Sequence, residues 1–432
     1  FFGFFGLSRK MSGFTATTTL SLPGPREVIS GERCAEILTD MAASMASANS
    51  PSHEGVSRLS LGDKSYTADG CSAMCSGLLE KCVNVKYLDL ADVIAGRMED
   101  EGLIVLSTFA SSAAKSLTGL TGLDLSDNAM GLKGISSCMP LFKAFLPTLK
   151  ELRMCNDGLS HQSMGEVADM LTEGDGAQLS CLHFFNNMSG DLGCSHFKRI
   201  IDAQKEEGLM KDLRFSGTRA GSEGSVHIAE ALKGKNDVFG KSVEKLDLAD
   251  NTFSGAGGEV LAEAFEGGFG KNLTELNLRD CTLGDDNAAR IFKALGEKLT
   301  MLDVSGNELT EEGCEALGEV VKRNAGLEVL MADENDEMGS EGALLVLEGL
   351  KGGGGSKLKK LGMANCEIKG KGARAVVAIA PSLPALEQVG LDGNMFCAAW
   401  VEKLGDALGD KLVEMEDNIS DEEDDDDEEE GG

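Results

Sequence analysis

Apolar residues along this chain fall in short lines of fixed spacing, and each line is followed by a stretch whose apolar positions recur every three or four residues. The lines 121-TGLDLSDNAM, 243-VEKLDLADNTF, 273-LTELNLRDCTL, 299-LTMLDVSGNEL, 358-LKKLGMANCEI and 386-LEQVGLDGNMF share the form L-x-x-L-x-L-x-x-N/C-x-L. Weaker copies read 85-VKYLDLADVI, 149-LKELRMCNDGL, 179-LSCLHFFNNM, 210-MKDLRFSGTR and 327-LEVLMADENDEM, with a degenerate one at 58-RLSLGDKSY. Taking the last core residue of each line gives Leu61, Leu90, Leu125, Met154, Phe184, Phe215, Leu248, Leu278, Val304, Ala332, Met363 and Leu391, in steps of 26 to 35 residues, mostly 28 to 31. That spacing is the period of a leucine-rich repeat.

The segments between the lines, such as 255-GAGGEVLAEAFEGG, 284-GDDNAARIFKALGE, 311-EEGCEALGEVVKRN and 370-GKGARAVVAIAPSL, carry a helical apolar period and open on Gly, Asp or Glu. A single repeat of this kind cannot bury its own apolar face, so repeats stack. The pattern predicts an α/β leucine-rich-repeat solenoid: a curved horseshoe with parallel strands on the concave face and helices on the convex face. Asn or Cys at the ladder position (Asn128, Asn187, Asn251, Cys281, Asn307, Cys366, Asn394) is expected to satisfy backbone groups where the chain leaves each strand.

Boundaries follow from where the rhythm starts and stops. Residues 55–413 form a repeat domain of about twelve repeats, residues 1–54 an N-terminal extension and cap, and residues 414–432 a tail. Glu32 to Met45 reads as a capping helix, and residues 1–10, ahead of Met11 and too short to span a membrane, read as upstream or added sequence. Glycine, 55 residues in 432, fits tight turns at both ends of every helix.

Charge changes the picture of what the chain binds. Formal net charge is −32, and the twelve acids and no base of residues 416–430 account for part of it. The tail cannot bury enough apolar surface to fold, so it is expected to be disordered. Such a chain repels nucleic acid and anionic membrane, and suits a basic protein partner; the tail also reads simply as a solubility device. Ser420 before three acids has the look of an acid-directed kinase site.

Twelve cysteines at ladder and helix positions, with no C-x-x-C and no paired spacing, read as buried free thiols in a reducing compartment, the cytoplasm. The segment 234-GKNDVFGKS is one residue too long for a phosphate-binding loop and precedes a strand, so it reads as a surface turn. The run 351-KGGGGSK reads as a flexible turn. Five histidines show no ligand spacing, so no metal and no cofactor is expected, and the chain reads as a binder, not an enzyme.

The step from Leu90 to Leu125 is the longest, 35 residues, and its surplus falls near 91-ADVIAGRMEDEG, just past a strand. Arg97 there is either a functional rim residue or half of a surface ion pair with Glu99 or Asp100. One repeat on, Asn156 precedes the ladder position held by Asp157 and should face outward, either toward a partner or as a turn residue serving local backbone.

The run DLADVIAGRMEDE, LDLSDNAMG, LRMCNDG, LHFFNNMSGD, LDLADNTF and the acidic C-terminal run resembles the GTPase-activating proteins of the small GTPase Ran, especially their plant and algal branch, over roughly residues 24 to 430. PGPREVISGERCAEIL also looks like the segment that precedes the repeats in that branch. The resemblance implies a protein that binds Ran in its GTP state and acts in trans to speed hydrolysis, supporting nuclear transport, with a Ran-binding protein as a further partner and a cytoplasmic, perinuclear location. The asparagine of the family's NNG motif matches Asn156, which would hold the GTPase's own glutamine against the attacking water. The family lends no arginine finger; its GR arginine matches Arg97, in a supporting role. Asp127, Asn128, Asp157, Asn186 and Asn187 are the expected partner-binding residues. Two departures stand out: NNG reads Asn156-Asp157-Gly158, and Glu99 occupies a place that is basic in some relatives. The Trp-Pro-Pro targeting module of plant members has no match, since the one tryptophan is Trp400, so tethering to the nuclear envelope by that route is not expected. An acidic histone chaperone and a ribonuclease-inhibitor-like binder are the alternatives.

Overall fold

A computed structural model describes residues 19–22, 24–45, 53–174, 176–205, 210–235 and 238–418. About half of the N-terminal extension, residues 1–10 among it, and Ser420 with most of the acidic tail lie outside the described residues. Contacts group the chain into two units, Phe1–Met154 and Cys155–Gly432.

In the first unit, three-residue strands Thr19–Ser21, Arg58–Ser60, Tyr87–Asp89, Gly122–Asp124 and Glu151–Arg153 pair in parallel. Their central leucines, Leu20, Leu59, Leu88, Leu123 and Leu152, stand in register. Helices Gly31–Met45, Ala68–Gly77, Glu99–Ser116 and Gly131–Phe145 separate them. The expected capping helix is present one residue longer at its start. The strand Thr19–Ser21 was not expected: three residues of TTTLSL carry no period of their own, and only the neighbouring repeat gives them a pairing edge.

Lys64 occupies the first ladder position and is buried. Its Nζ donates to the carbonyls of Gly24, at 2.9 Å, and Pro25, so this lysine binds the incoming Gly24–Pro25 backbone as asparagines bind loops elsewhere.

In the second unit the strands Cys181–His183, Asp212–Arg214, Lys245–Asp247, Glu275–Asn277, Met301–Asp303, Val329–Met331, Lys360–Gly362 and Gln388–Gly390 pair in parallel, each neighbour offset by one repeat. The four helices singled out in the sequence run Ala256–Glu266, Gly284–Ala294, Glu311–Arg323 and Gly370–Ile379. Beyond the last strand, Val413 N donates to Val389 O at 2.8 Å, and Trp400 is buried with Lys403 Nζ 3.9 Å from its ring centre, closing the stack.

Two turns differ from expectation. Val238–Ser242 is a short helix with Phe239 buried, because a surface turn would leave that phenylalanine ring in water. Leu350–Gly354 continues the preceding helix as a wide π turn, broken by Gly353 at φ 149°, where only glycine is at ease.

All twelve marked core residues, from Leu61 to Leu391, are at most 1% exposed. The twelve ladder side chains at 64, 93, 128, 157, 187, 218, 251, 281, 307, 335, 366 and 394 are at most 2% exposed. Asparagines there tie two repeats together. Asn307 Nδ2, for example, donates to Leu278 O (2.7 Å) in the preceding repeat and to Val304 O (3.0 Å) in its own, while its Oδ1 accepts from Leu283 N (3.3 Å). Cysteine does a weaker version: Cys281 Sγ lies 3.4 Å from Leu248 O and Cys366 Sγ 3.2 Å from Ala332 O. The twelve cysteines are thiols outside any disulfide, eleven of them buried. No helix among the described residues is long and apolar enough to cross a membrane.

The residue just before each ladder position, Asp63, Asp92, Asp127, Asn156, Asn186, Gly217, Asp250, Asp280, Gly306, Glu334, Asn365 or Gly393, has φ between 51° and 71°. A non-glycine residue tolerates that region poorly unless it is Asn or Asp. Eleven of those twelve positions are Asp, Asn or Gly, so the repeat geometry itself selects the residue types at the rim.

Candidate partner-binding site

The candidate residues fall on two rims, one in each unit. In the first unit the turn after Tyr87–Asp89 passes through Gly96 at φ 70° and delivers Arg97. The Arg97 side chain is 18% exposed and pairs with Glu101, Nη1 to Oε2 3.5 Å. The expected pairing with Glu99 or Asp100 does not form: Glu101 lies one helical turn along from Arg97, whereas Glu99 pairs with Lys133. Glu99, Asp100 and Glu101 open the 18-residue helix Glu99–Ser116, where negative charge meets the positive end of the helix. That helix is the longest described, so the surplus of this repeat lies partly in the helix and not wholly in a loop.

Arg97, Met98, Asp127, Asn128, Met130 and Lys133 line a cleft of about 620 Å³. Asp127 is exposed, at φ 65°, and Met98 is 80% exposed. Asn128 is buried: its Oδ1 accepts from Val93 N at 2.9 Å, and Nδ2 donates to Leu90 O at 2.9 Å.

In the second unit Asn156 and Asn186 are both exposed, at φ 56° and 54°. Asn186 Nδ2 donates to Asn156 Oδ1 at 3.0 Å, and Asn156 N donates to Phe185 O at 3.0 Å. The pair presents two carboxamides locked edge to edge on a left-handed rim. Around it stand Phe185, 38% exposed, and Met188, 52% exposed, with the Met188 methyl 4.0 Å from where a β-carbon on Gly158 would stand.

Burial corrects the expected roles of three residues. Asp157 and Asn187, like Asn128, point into the repeats and are at most 2% exposed, so their side chains offer a partner almost no surface. Asn187 Oδ1 instead accepts from Asp157 N and Leu159 N, both at 3.1 Å, so it braces the loop that carries Asn156. In the expected set, Asp127, Asn156 and Asn186 remain exposed, with Arg97 partly so.

Beneath the amide pair the strand positions flanking Leu182 and Leu213 face away from the leucines. They bring Cys181, His183, Asp212 and Arg214 together. Cys181 Sγ lies 3.3 Å from His183 Nε2, His183 Nε2 lies 3.0 Å from Asp212 Oδ1, and Arg214 Nε donates to Asp212 Oδ1 at 2.9 Å. Burial pushes the Asp212 carboxyl up, but bonds and charge from His183 and Arg214 outweigh it and hold it well below the usual carboxylate range. Further along the same face burial dominates, raising Asp247 and Asp303 and pushing Asp333 up to about 6. His183 spacing gave no hint of this cluster; the signal was C-x-H on one strand with an aspartate at the aligned position one repeat later.

A family model described as Leucine Rich repeat matches residues 241–262, 271–288 and 297–318. With the parallel strands and the ladder, this gives the chain an α/β leucine-rich-repeat fold. It is 33% identical over 125 residues to RAN GTPase-activating protein 2 of Arabidopsis thaliana, covering 28% of this chain and 23% of that protein. It is 24% identical over 320 residues to Ribonuclease inhibitor of Sus scrofa, covering 68% of this chain and 67% of that one. Among solved structures, that of the Rad7 and Elc1 complex in yeast superposes with a TM-score of 0.54 at 15% identity, over 89% of this chain and 90% of that one, a likeness of fold alone. The chain spans 13% to 67% of the lengths of the curated relatives it matches.

Proposed function

We propose that this protein is a GTPase-activating protein for the small GTPase Ran in its GTP-bound state, acting in the cytoplasm near the nucleus. The observation that carries the reading is the exposed Asn156–Asn186 amide pair. Intrinsic GTP hydrolysis is slow, and stabilising the group that positions the attacking water is one way a partner speeds it. Asn186 engages the carbonyl end of Asn156, which fixes the plane of the Asn156 amide before any partner arrives. Phe185 and Met188 offer apolar surface for a partner to cover, and the ladder amide of Asn187 holds the loop's backbone. Arg97, paired with Glu101, supports the other rim and donates nothing to the phosphates. The local similarity to the Arabidopsis Ran activator points the same way.

The test is single-turnover GTP hydrolysis by purified Ran. Wild-type protein accelerates it, and Asn156→Gly lowers the acceleration by about 10²-fold or more, the scale of losing one positioning contact. Glycine is the better replacement because Asn156 sits at φ 56°, where alanine would add backbone strain. No acceleration by the wild type, or an unchanged rate with the variant, overturns the proposal.

A second reading has its own support. Similarity to the ribonuclease inhibitor extends over 68% of the chain, and the strand face carries Asp212, Asp247, Asp303 and Asp333. Tight binding to a basic enzyme that ignores the nucleotide on Ran would favour it.

A further inference from the structure

We propose that Cys181, His183 and Asp212 form a binding site for a zinc-class divalent cation. Their ligand atoms lie within 4.8 Å of one another. Tetrahedral zinc, with bonds of about 2.0–2.3 Å, separates its ligand atoms by roughly 3.3–3.7 Å. The observed Sγ–Nε2 and Nε2–Oδ1 separations, 3.3 and 3.0 Å, need only a small spreading to admit the ion.

The donor set is chemically selective. A thiolate, an imidazole and a carboxylate suit zinc or cobalt, whereas magnesium and calcium call for oxygen alone. The site is built by rigid elements: Cys181 and His183 are alternate residues of one strand, and Cys181 stands in register with Asp212 of the next. Cys181 and His183 are 6% and 5% exposed. Arg214, bonded to both oxygens of Asp212 at 2.9 and 3.3 Å, orients that carboxylate as hydrogen-bonded outer groups do in metal sites. Its positive charge also weakens the site, so the affinity falls below that of a site without it. Three protein ligands leave a fourth position for water or a partner's side chain. Binding releases the Cys181 thiol proton to solvent, and the proton on His183 Nε2 that faces Asp212 in the metal-free site leaves to solvent or passes to Nδ1, so that the neutral imidazole presents its Nε2 lone pair and no oxidant or reductant is involved. The strand that holds two of the ligands leads directly into Phe185 and Asn186, which places the ion beneath the amide rim.

Cobalt(II) titration of the full, metal-stripped chain tests this. One equivalent gives a thiolate-to-cobalt charge-transfer band that zinc displaces. Cys181→Ser abolishes the band, His183→Gln and Asp212→Asn weaken binding at least about 10-fold, and Cys366→Ser leaves the band unchanged. The acidic tail cannot mimic the signal because carboxylates give no thiolate band. Circular dichroism confirms that each variant is folded, and His183→Gln, of similar size, keeps the test valid if Cys181→Ser misfolds. Absence of the band in the wild type, or its persistence in Cys181→Ser, overturns the proposal.

Discussion

Replacing Asn187 by alanine isolates what a ladder amide contributes. Its side chain is 2% exposed, accepts from Asp157 N and Leu159 N at 3.1 Å each, and donates to Phe184 O at 3.2 Å. Alanine leaves two buried amides and one carbonyl without that partner. Each such orphan costs about 1–3 kcal/mol, and water entering the vacated space recovers part, so the loss is about 3 kcal/mol. Because stacked repeats interact mainly with neighbours, the damage is local and a single global midpoint understates it. Urea denaturation followed by circular dichroism should therefore be paired with hydrogen exchange at Asp157 and Leu159, whose protection should fall by about two orders of magnitude. Asn156→Gly, on an exposed side chain in a conformation glycine adopts freely, should change stability by less than about 0.5 kcal/mol. A loss below about 1 kcal/mol for Asn187→Ala with exchange unchanged would refute the division between a bracing amide and an exposed one.

The remaining predictions concern charge, packing and the second rim. Asp333 has a folded-state pKa of about 6 against 3.8 for the ordinary group, so its ionisation opposes folding increasingly between about pH 4 and 6 and by a constant amount above. Asp333→Asn should stabilise the protein by on the order of 2 kcal/mol at pH 7.5 and by almost nothing at pH 4, measured as denaturation midpoints; equal gains at both pH values would contradict it. Gly70→Ala, which helix propensity alone would favour, should destabilise the first unit by about 1–3 kcal/mol, because the added methyl would lie 1.9 Å from Ile29 O. Thermal melts decide the sign. Arg97→Ala should lower activation of Ran GTP hydrolysis by less than about 10-fold, whereas a fall of about 10³-fold would make Arg97 an inserted finger.

Much of the fold was legible because one residue set repeats under one constraint. Leu59, Leu88, Leu123 and Leu152 stack in register only if their neighbours supply the same surface, so the period in sequence is the spacing in space. The rim geometry was also written in the chain, as Asp, Asn or Gly ahead of each ladder residue, although that signal becomes readable only once the left-handed φ values are known. Pairings across repeats were not legible. The Asn156–Asn186 bond and the Cys181–His183–Asp212 cluster depend on register between residues about one repeat apart, and Arg97 chose Glu101 over Glu99 because helix periodicity, not sequence adjacency, decides which carboxylate it reaches. Burial of Asn128, Asp157 and Asn187 was implied by the ladder pattern itself, yet resemblance drew them into the partner surface.

The left-handed residue ahead of every ladder position gives the molecule a series of equivalent sockets. Each holds its backbone in the same twist whichever of Asp, Asn or Gly fills it, so exchanging one short polar group for another alters what the edge displays and leaves the scaffold beneath untouched. A new recognition surface can thus arise by single substitutions, one socket at a time, with Asp127, Asp250 and Asp280 as places where a carboxamide could be installed at little cost to folding.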